Sequence, residues 1–272
     1  MVASGVITLT TDFDLSDPYV GEMKGVILSI NPEAKVVDIT HGVKPGDVFE
    51  ASMMLKESFS YFPRGTVHVV VVDPGVGTQR RPIVVVTEDY LFVAPDNGVL
   101  WPVICKDKGK KIVHLKNPEF FRHPVSNTFH GRDIFAPVAA HLSLDKNPLD
   151  MGPEIEDPVK LKTPSLQIDS SKLKGQVIRV DRFGNLITNI DAVTLNRYLG
   201  SETDEADIEV GSLRIKGIST AYGDVPINHE LALIGSSGFL EIAVNQGRAD
   251  ERIGDLVEII GTPVIIRKRQ DK

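Results

Sequence analysis

The chain has 272 residues, of which 42% are hydrophobic and 25% are charged, and its formal net charge is −7 at pH 7. The length predicts two domains, and the composition is that of a folded protein with a sizeable core, not of a disordered chain. The negative charge disfavours a nucleic-acid binder, which usually presents a basic face. Cys105 is the single cysteine, which excludes an intrachain disulfide and a cysteine zinc cluster.

The sequence also lacks the signals of a membrane or secreted protein. No apolar run approaches the roughly 20 residues that a membrane span needs. Acidic residues follow the N-terminus too soon for a secretory signal. We therefore expect a cytoplasmic protein without a membrane partner.

Residues 1–160 alternate strand-like and helix-like segments, which predicts an α/β domain with a mainly parallel sheet. Residues 66–72, TVHVVVV, form a β-branched run typical of strands that are buried on both faces. Asp47 is a favourable N-cap for the helix predicted over 48–59. The other predicted strands are 6–11, 35–40, 83–87, 91–94 and 112–115, and the other helices are 18–30, a segment after Asn97, and 132–142.

Residues 161–172, within a proline-punctuated polar stretch, are predicted to be a linker. Residues 173–272 then show short strand candidates separated by turns, which predicts a small all-β, barrel-like C-terminal domain. The predicted strands are 175–181, 186–190, 207–210, 213–218, 230–234, 239–244, 256–260 and 264–267.

Three polar clusters in the first domain are candidates for chemistry. Two follow strands, at residues 10–17 and 73–81, and the third, at residues 127–133, precedes a helix. Open α/β sheets bind ligands at the carboxyl ends of their strands, which favours the first two clusters as parts of a site. Each cluster also has a plainer interpretation as helix caps, turn residues or a structural histidine, and Asp133 is most simply an acidic residue favoured by a helix N-terminus.

No familiar local motif decides between these interpretations. Neither GxGxxG, nor GxxxxGK[ST], nor GxSxG occurs at the required places. A metal-dependent phosphohydrolase remains one alternative, since carboxylates at strand ends bind divalent ions. A non-catalytic nucleoside-binding protein is another. The metal alternative would use Asp12, Asp14, Asp17 and His41.

Six blocks occur in order across nearly the whole chain and together carry a resemblance. They are TTDFDLSDPYVGEMKGVI, VVDPGVGTQRR, APDNG, NTFHGRDIFAP, DRFGNLITNI and SSGFLEIAVNQG. The combination resembles the S-adenosylmethionine hydroxide adenosyltransferase family, whose relatives include fluorinating and chlorinating enzymes. The resemblance implies an α/β domain, a β-barrel domain, and a homotrimer with active sites between one subunit's N-terminal domain and its neighbour's C-terminal domain.

The resemblance also implies a reaction: hydrolysis of S-adenosylmethionine to adenosine and methionine, by attack of an activated water at ribose C5′. Neither a metal nor a cofactor is implied. Asp73, Arg80 and His130 match the catalytic set of the hydrolytic branch, with Arg81 leaving a one-residue ambiguity. The halogenating relatives replace this set, so halide-dependent adenosyl transfer is the nearest alternative.

Further residues match substrate-binding positions of the family. Asp12 resembles an aspartate that binds both ribose hydroxyls, and Asp17 a second acidic residue facing the same pocket. Tyr222 resembles an aromatic residue that stacks on adenine. The positions matched to the methionine and adenosine portions are Asp181, Phe183, Asn185, Ser236, Ser237, Asn245 and Gln246.

Overall fold

The computed structural model describes residues 2–107, 109–200, 206–253 and 258–268. The chain divides into two compact units, Met1–Lys162 and Thr163–Lys272. Within the described ranges, no helix is both long enough and apolar enough to cross a membrane.

The first unit is a sheet with helices packed on it. Six strands among its described residues have the order β2-β1-β3-β5-β4-β6. The strands β1, β2, β3 and β5 pair in parallel, whereas β4 is antiparallel to both of its neighbours, so the expected mainly parallel sheet is a mixed one. The strands are β1 Val6–Thr11, β2 Lys35–Thr40, β3 Val67–Val71, β4 Pro82–Val86, β5 Leu91–Pro95 and β6 Lys111–His114.

The register of the two central strands positions the site. β1 and β3 run in parallel, and Thr11 pairs with Val71. Asp12 and Asp73 therefore leave the same edge of the sheet, as expected for residues that follow neighbouring parallel strands. All five residues of β3 are buried, which confirms the two-sided burial predicted from the β-branched run.

The helices of the first unit cover both faces of the sheet. They are α1 Tyr19–Ile30, α2 Val48–Ser58, α3 Trp101–Lys106 and α4 Ala136–Ser143. Asp47 caps α2 by accepting a hydrogen bond from the Glu50 amide, as predicted. The helix expected over 132–142 instead begins with a π-helical turn, Gly131–Phe135, which continues into α4. Such turns widen a helix locally and are frequent at functional sites.

The second unit is a largely antiparallel sheet around its own core. Its main path among the described residues is β11-β10-β14-β8-β9-β13-β12, and β7 pairs with β8. The strands are β7 Gln167–Ile168, β8 Leu173–Val180, β9 Leu186–Asp191, β10 Ala206–Val210, β11 Leu213–Lys216, β12 Glu230–Ile234, β13 Phe239–Val244 and β14 Pro263–Lys268.

Three details of the second unit differ from the prediction. The segment 161–172 contains β7, so it is not wholly irregular. A helix, α5 Ala192–Leu199, follows β9 directly and was not predicted; Asp191 caps it by accepting from the Thr194 amide. Of the strand expected over 256–260, residues 256–257 lie outside the described residues and 258–260 are not strand.

Candidate active site

A cleft of about 720 Å³ opens at the edge of the sheet where β1 and β3 end. Helix α1 and the segment before α4 form its walls. It brings together residues from all three polar clusters of the first domain. The residues that line it are Asp12, Phe13, Asp17, Tyr19, Glu22, Gly46, Val71, Asp73, Pro74, Val76, Ser126, Thr128, Phe129, His130, Gly131 and Arg132.

Arg80 joins Asp73 to His130, and both of these partners line the cleft. Its Nε donates to Asp73 Oδ1 at 3.0 Å, and its Nη2 donates to Asp73 Oδ2. Nη2 is also 2.9 Å from His130 Nδ1. The Arg80 and Asp73 side chains are only 7% and 6% exposed, so each charge depends on the other for compensation.

The hydrogen bond from Arg80 selects one form of His130. A guanidinium is only a donor, so His130 Nδ1 must accept, and a neutral ring then carries its proton on Nε2. Burial, reinforced by the Arg80 charge, lowers the pKa of His130 despite the opposing charges of Asp73 and Asp133. His130 is therefore a neutral imidazole with an Nε2–H donor at neutral pH.

Arg80 also has N–H donors that none of the described residues accepts. Its Nη1 is buried and has no hydrogen-bond partner among the described residues. The guanidinium carbon lies 5.4 Å from the centre of the Phe135 ring, which supports the cation from one side. The neighbouring Arg81 points elsewhere, since it pairs with Asp96 at 2.6 Å and with Asp157 at 2.8 Å.

Asp12 is held in the cleft by the backbone. Its Oδ2 accepts a hydrogen bond from the Gly46 amide at 2.8 Å. The turn that carries it is fixed because Thr11 Oγ1 accepts from the Phe13 amide at 3.2 Å. Asp12 thus retains acceptor capacity facing the cleft, and Asp17 lies on the exposed rim.

Several cleft residues were not singled out from the sequence. Phe13, Tyr19 and Phe129 form an aromatic cluster with ring centres 5.2–5.8 Å apart. Arg132 lies over the Phe129 ring and pairs with Glu22 at 2.8 Å. All five residues fall within the sequence blocks TTDFDLSDPYVGEMKGVI and NTFHGRDIFAP. Membership in these blocks could have identified them as candidates, whereas no single residue type does so.

The proposed alternative metal set is not assembled. His41 Nδ1 is 2.8 Å from Thr11 Oγ1, and its Nε2 is 3.1 Å from Asp38 Oδ1. His41 thus faces β1 and β2, away from a ligand set with Asp12 and Asp17. Within the part of the chain that is described, no three His, Cys, Asp or Glu side chains are grouped so that they could hold a metal ion.

In the second unit, the DRFGN loop is a tight turn closed by its own aspartate. Asp181 Oδ1 accepts from the amides of Phe183 and Asn185, at 2.8 and 2.9 Å, and Oδ2 accepts from Asn185 Nδ2 at 2.9 Å. Gly184 takes a positive φ of 85° and abuts Arg248 and Asp250, where a side chain would not fit. Phe183 is left 75% exposed, which is unusual for so large an apolar ring.

Tyr222 lies near this loop and contacts a carboxylate that was not predicted. Its hydroxyl donates to Glu241 Oε2 at 3.0 Å. Burial, the hydrogen bond to Glu241 and the charges of Glu241 and Asp181 raise the pKa of Tyr222 to about 12. Asn245 Nδ2 donates to the Val225 carbonyl, which links the 245–246 turn to the same region.

The predicted residues Ser236 and Ser237 precede β13, whereas Asn245 and Gln246 follow it. A six-residue strand spans about 17 Å, so the two pairs lie at opposite ends of β13. The Glu241 carboxylate packs against Gly235, next to the Ser236–Ser237 end. Ser237 Oγ is buried without a hydrogen-bond partner in the described part of the chain.

The fold and the cleft together define a two-domain α/β and β-barrel-like protein with a polar cleft at the carboxyl edge of its parallel strands. Residues 7–152 match the SAM hydroxide adenosyltransferase N-terminal domain, and residues 175–255 match the C-terminal domain of that family. The chain belongs to the SAM hydroxide adenosyltransferase family.

Individual relatives agree with this assignment. A Salinispora arenicola protein named (R)-S-adenosyl-L-methionine hydrolase is 38% identical over 252 residues, covering 92% of this chain and 94% of that protein. The crystal structure of an uncharacterized conserved protein from Thermotoga maritima is 40% identical, with a TM-score of 0.89, covering 97% of this chain and all of that one. A Nocardia brasiliensis fluorinase is more distant, at 27% identity over 271 residues, 88% of this chain and 90% of that protein.

Proposed function

We propose that this protein hydrolyses S-adenosylmethionine, a sulfonium cation, with water to give adenosine, methionine and a proton. The hydrogen-bonded Asp73–Arg80–His130 set, of which Asp73 and His130 line the cleft, is the observation that carries the proposal. The 38% identical relative bears the name of this activity, which supports it. The fluorinase relative is less similar, so water is favoured over halide as the nucleophile.

The chemistry needs help with the nucleophile and little help with the leaving group. A sulfonium already makes methionine a good leaving group. Water is a very weak acid, so hydroxide is scarce at neutral pH. In this proposal the free Nη1 donors of Arg80 and the Nε2–H of His130 hold a water, and the Arg80 charge favours its hydroxide character.

The same arrangement assigns separate roles to the three side chains. Asp73 compensates the Arg80 charge and fixes its orientation. His130 acts as a donor to the water oxygen, because its Nδ1 is already occupied by Arg80. The held water attacks ribose C5′ in line with the C–S bond, the electron pair of that bond leaves on the methionine sulfur, and the water proton passes to solvent. Such orientation can lower the barrier by several kcal/mol.

Substrate binding in this proposal follows the resemblance. Asp12 would accept hydrogen bonds from both ribose hydroxyls, for which an ionised carboxylate has the acceptor sites. The methionine and adenine portions would meet a C-terminal unit of a neighbouring subunit in a homotrimer, a state that light scattering can test. The matched residues there are Asp181, Phe183, Asn185, Tyr222, Ser236, Ser237, Asn245 and Gln246.

Metal independence and a cytoplasmic location are part of the proposal, and cell fractionation tests the second. For the activity, EDTA-treated protein is incubated with S-adenosylmethionine in halide-free buffer, and products are separated by chromatography. Equal amounts of adenosine and methionine are expected. A product that forms only when chloride or fluoride is added would indicate adenosyl transfer to halide. Tight adenosine binding without turnover would indicate a binding protein.

A further inference from the structure

Asp133 is fully buried next to the cleft, behind the residues that line it. Its Oδ1 accepts from Arg132 Nε at 2.8 Å and from Arg122 Nη1 at 3.3 Å. Its Oδ2 accepts from Arg132 Nη2 and from the Ser126 amide, both at 2.9 Å. Burial raises the pKa of Asp133, but the hydrogen bonds lower it by more, so the group is ionised. Four donors use the full acceptor capacity of this carboxylate.

These bonds close the segment 122–133 on itself. The Arg122 amide also donates to the Asp133 carbonyl at 2.9 Å, and the Asp133 amide donates to the Phe129 carbonyl at 3.2 Å. One residue therefore anchors the start, the middle and the end of the segment. His130 lies on this segment and needs a fixed position to stay 2.9 Å from Arg80.

The same carboxylate orients Arg132, which lines the cleft. By accepting from Nε and Nη2, Asp133 leaves Nη1 of Arg132 to pair with Glu22 of α1 at 2.8 Å. This bidentate contact fixes the plane of the guanidinium over the Phe129 ring, at 5.1 Å. Asp133 thus connects the Arg132–Glu22 pair of the cleft wall to the segment that carries His130.

We propose that Asp133 is a positioning residue for the reaction: it holds His130 in hydrogen-bond contact with Arg80 and holds Arg132 in the cleft wall. The effect on turnover rests on the proposed function, whereas the effect on His130 does not. A helix-dipole role would require only a negative charge near the helix start, and would not require four directed hydrogen bonds.

The test compares Asp133→Asn with Asp96→Asn. Asp96 is also buried, accepts from Nε and Nη2 of Arg81, and accepts a backbone hydrogen bond from Val159, but it lies outside the cleft lining. Both variants are expected to lower the unfolding temperature. In Asp133→Asn, the kcat per folded molecule should fall about 100-fold, the cost that misplacing a catalytic group by 1 Å can have. In Asp96→Asn, kcat should stay within about twofold, because among the described residues the Asp96 carboxylate bonds to Arg81 and Val159 and not to the catalytic set.

A second readout follows His130 itself by long-range ¹H–¹⁵N NMR, with its signals identified from a His130→Asn variant. The native protein should show the Nε2–H form. Asp133→Asn should give mixed ring forms, because a displaced His130 loses the Arg80 donor that holds the ring proton on Nε2. Asp96→Asn should leave the ring form unchanged.

Native kcat together with native His130 signals in folded Asp133→Asn would overturn the proposal. If that variant does not fold, Arg122→Gln replaces it, because Arg122 is 46% exposed in its side chain and supplies one of the four bonds. A kcat reduced about fivefold, with altered His130 signals, is expected there, and no change in either would overturn the proposal. If the native protein releases no adenosine, the proposed function fails, while the NMR comparison still decides the role of Asp133.

Discussion

Gly77 is the point where the loop that carries Arg80 touches the segment that carries His130. It has a φ of +75°, and a Cβ built on it would overlap the carbonyl oxygen of Asn127. In Gly77→Ala the two backbones must separate by roughly 1 Å to restore ordinary contact distances. The Arg80–His130 hydrogen bond, now 2.9 Å, would lengthen beyond the ~3.2 Å limit of a normal N–H bond.

The expected result is a loss of turnover greater than the loss of stability explains. A 1 Å misplacement can cost about 100-fold in rate, or about 2.7 kcal/mol of barrier. The positive φ adds about 1–2 kcal/mol of strain in the folded state. Gly5→Ala is the matched control, because Gly5 has a φ of +74° and open space where a Cβ would lie.

The assay measures adenosine release at saturating S-adenosylmethionine, alongside thermal unfolding of both variants. Gly5→Ala should show the strain in its unfolding temperature and keep native kcat. If Gly77→Ala turns over within threefold of Gly5→Ala, contact between the two loops does not set the catalytic geometry, and the reasoning is refuted.

Three further predictions concern single side chains. Arg80→Lys should lower kcat about 10²–10³-fold with little change in KM, because a lysine cannot make the paired hydrogen bonds to Asp73. Arg81→Lys should leave kcat within about twofold. Steady-state kinetics distinguishes the two variants. Burial lowers the pKa of His68 to about 3, so between pH 6.5 and 3 the unfolded chain binds a proton that the folded chain does not. As the pH falls through this range, the free energy of unfolding should decrease by about 1.4 kcal/mol per pH unit. Denaturant melts of His68→Phe should lack that slope. The pKa of Tyr222 is about 12, so the folded protein keeps the phenol proton in a range above pH 10 where the unfolded chain loses it. The stabilising contribution of Tyr222 should therefore disappear as the pH rises from 10 to 12. Glu241→Gln should lower the pKa of Tyr222 in a titration followed at 295 nm.

The sequence was most informative where local patterns decide structure. Strands β1, β12 and β13 have the predicted bounds, because each combines apolar or β-branched residues with clear turn residues on both sides. The capping of α2 was predictable for the same reason, since an N-cap aspartate acts on an amide only three residues away. The parallel run of β1 and β3 then brought Asp12 and Asp73 to one sheet edge.

Features that depend on distant partners were not predictable. The reversed direction of β4 is set by its pairing with β5 and β6, which no local pattern encodes. Helix α5 begins directly after β9, without the loop that usually separates such elements. Asp133 looked like a simple helix-start residue because its partners Arg122 and Ser126 meet it only after the segment folds back.

Glu241 shows the same limit in the second unit. In the sequence it lies within an apolar strand, FLEIAV, where alternation alone would place it on the outer face. The structure buries it to 6% exposure and gives it the Tyr222 hydroxyl as a partner. A buried carboxylate requires such compensation, but the partner lies 19 residues away in the chain.

The central claim, attack of a held water at ribose C5′, is tested most directly by oxygen labelling. The native protein is incubated with S-adenosylmethionine in H₂¹⁸O without halide, and the products are examined by mass spectrometry. The proposed chemistry requires one ¹⁸O in the 5′-hydroxyl of adenosine and none in methionine. Label in methionine, or adenosine released without label, would contradict it.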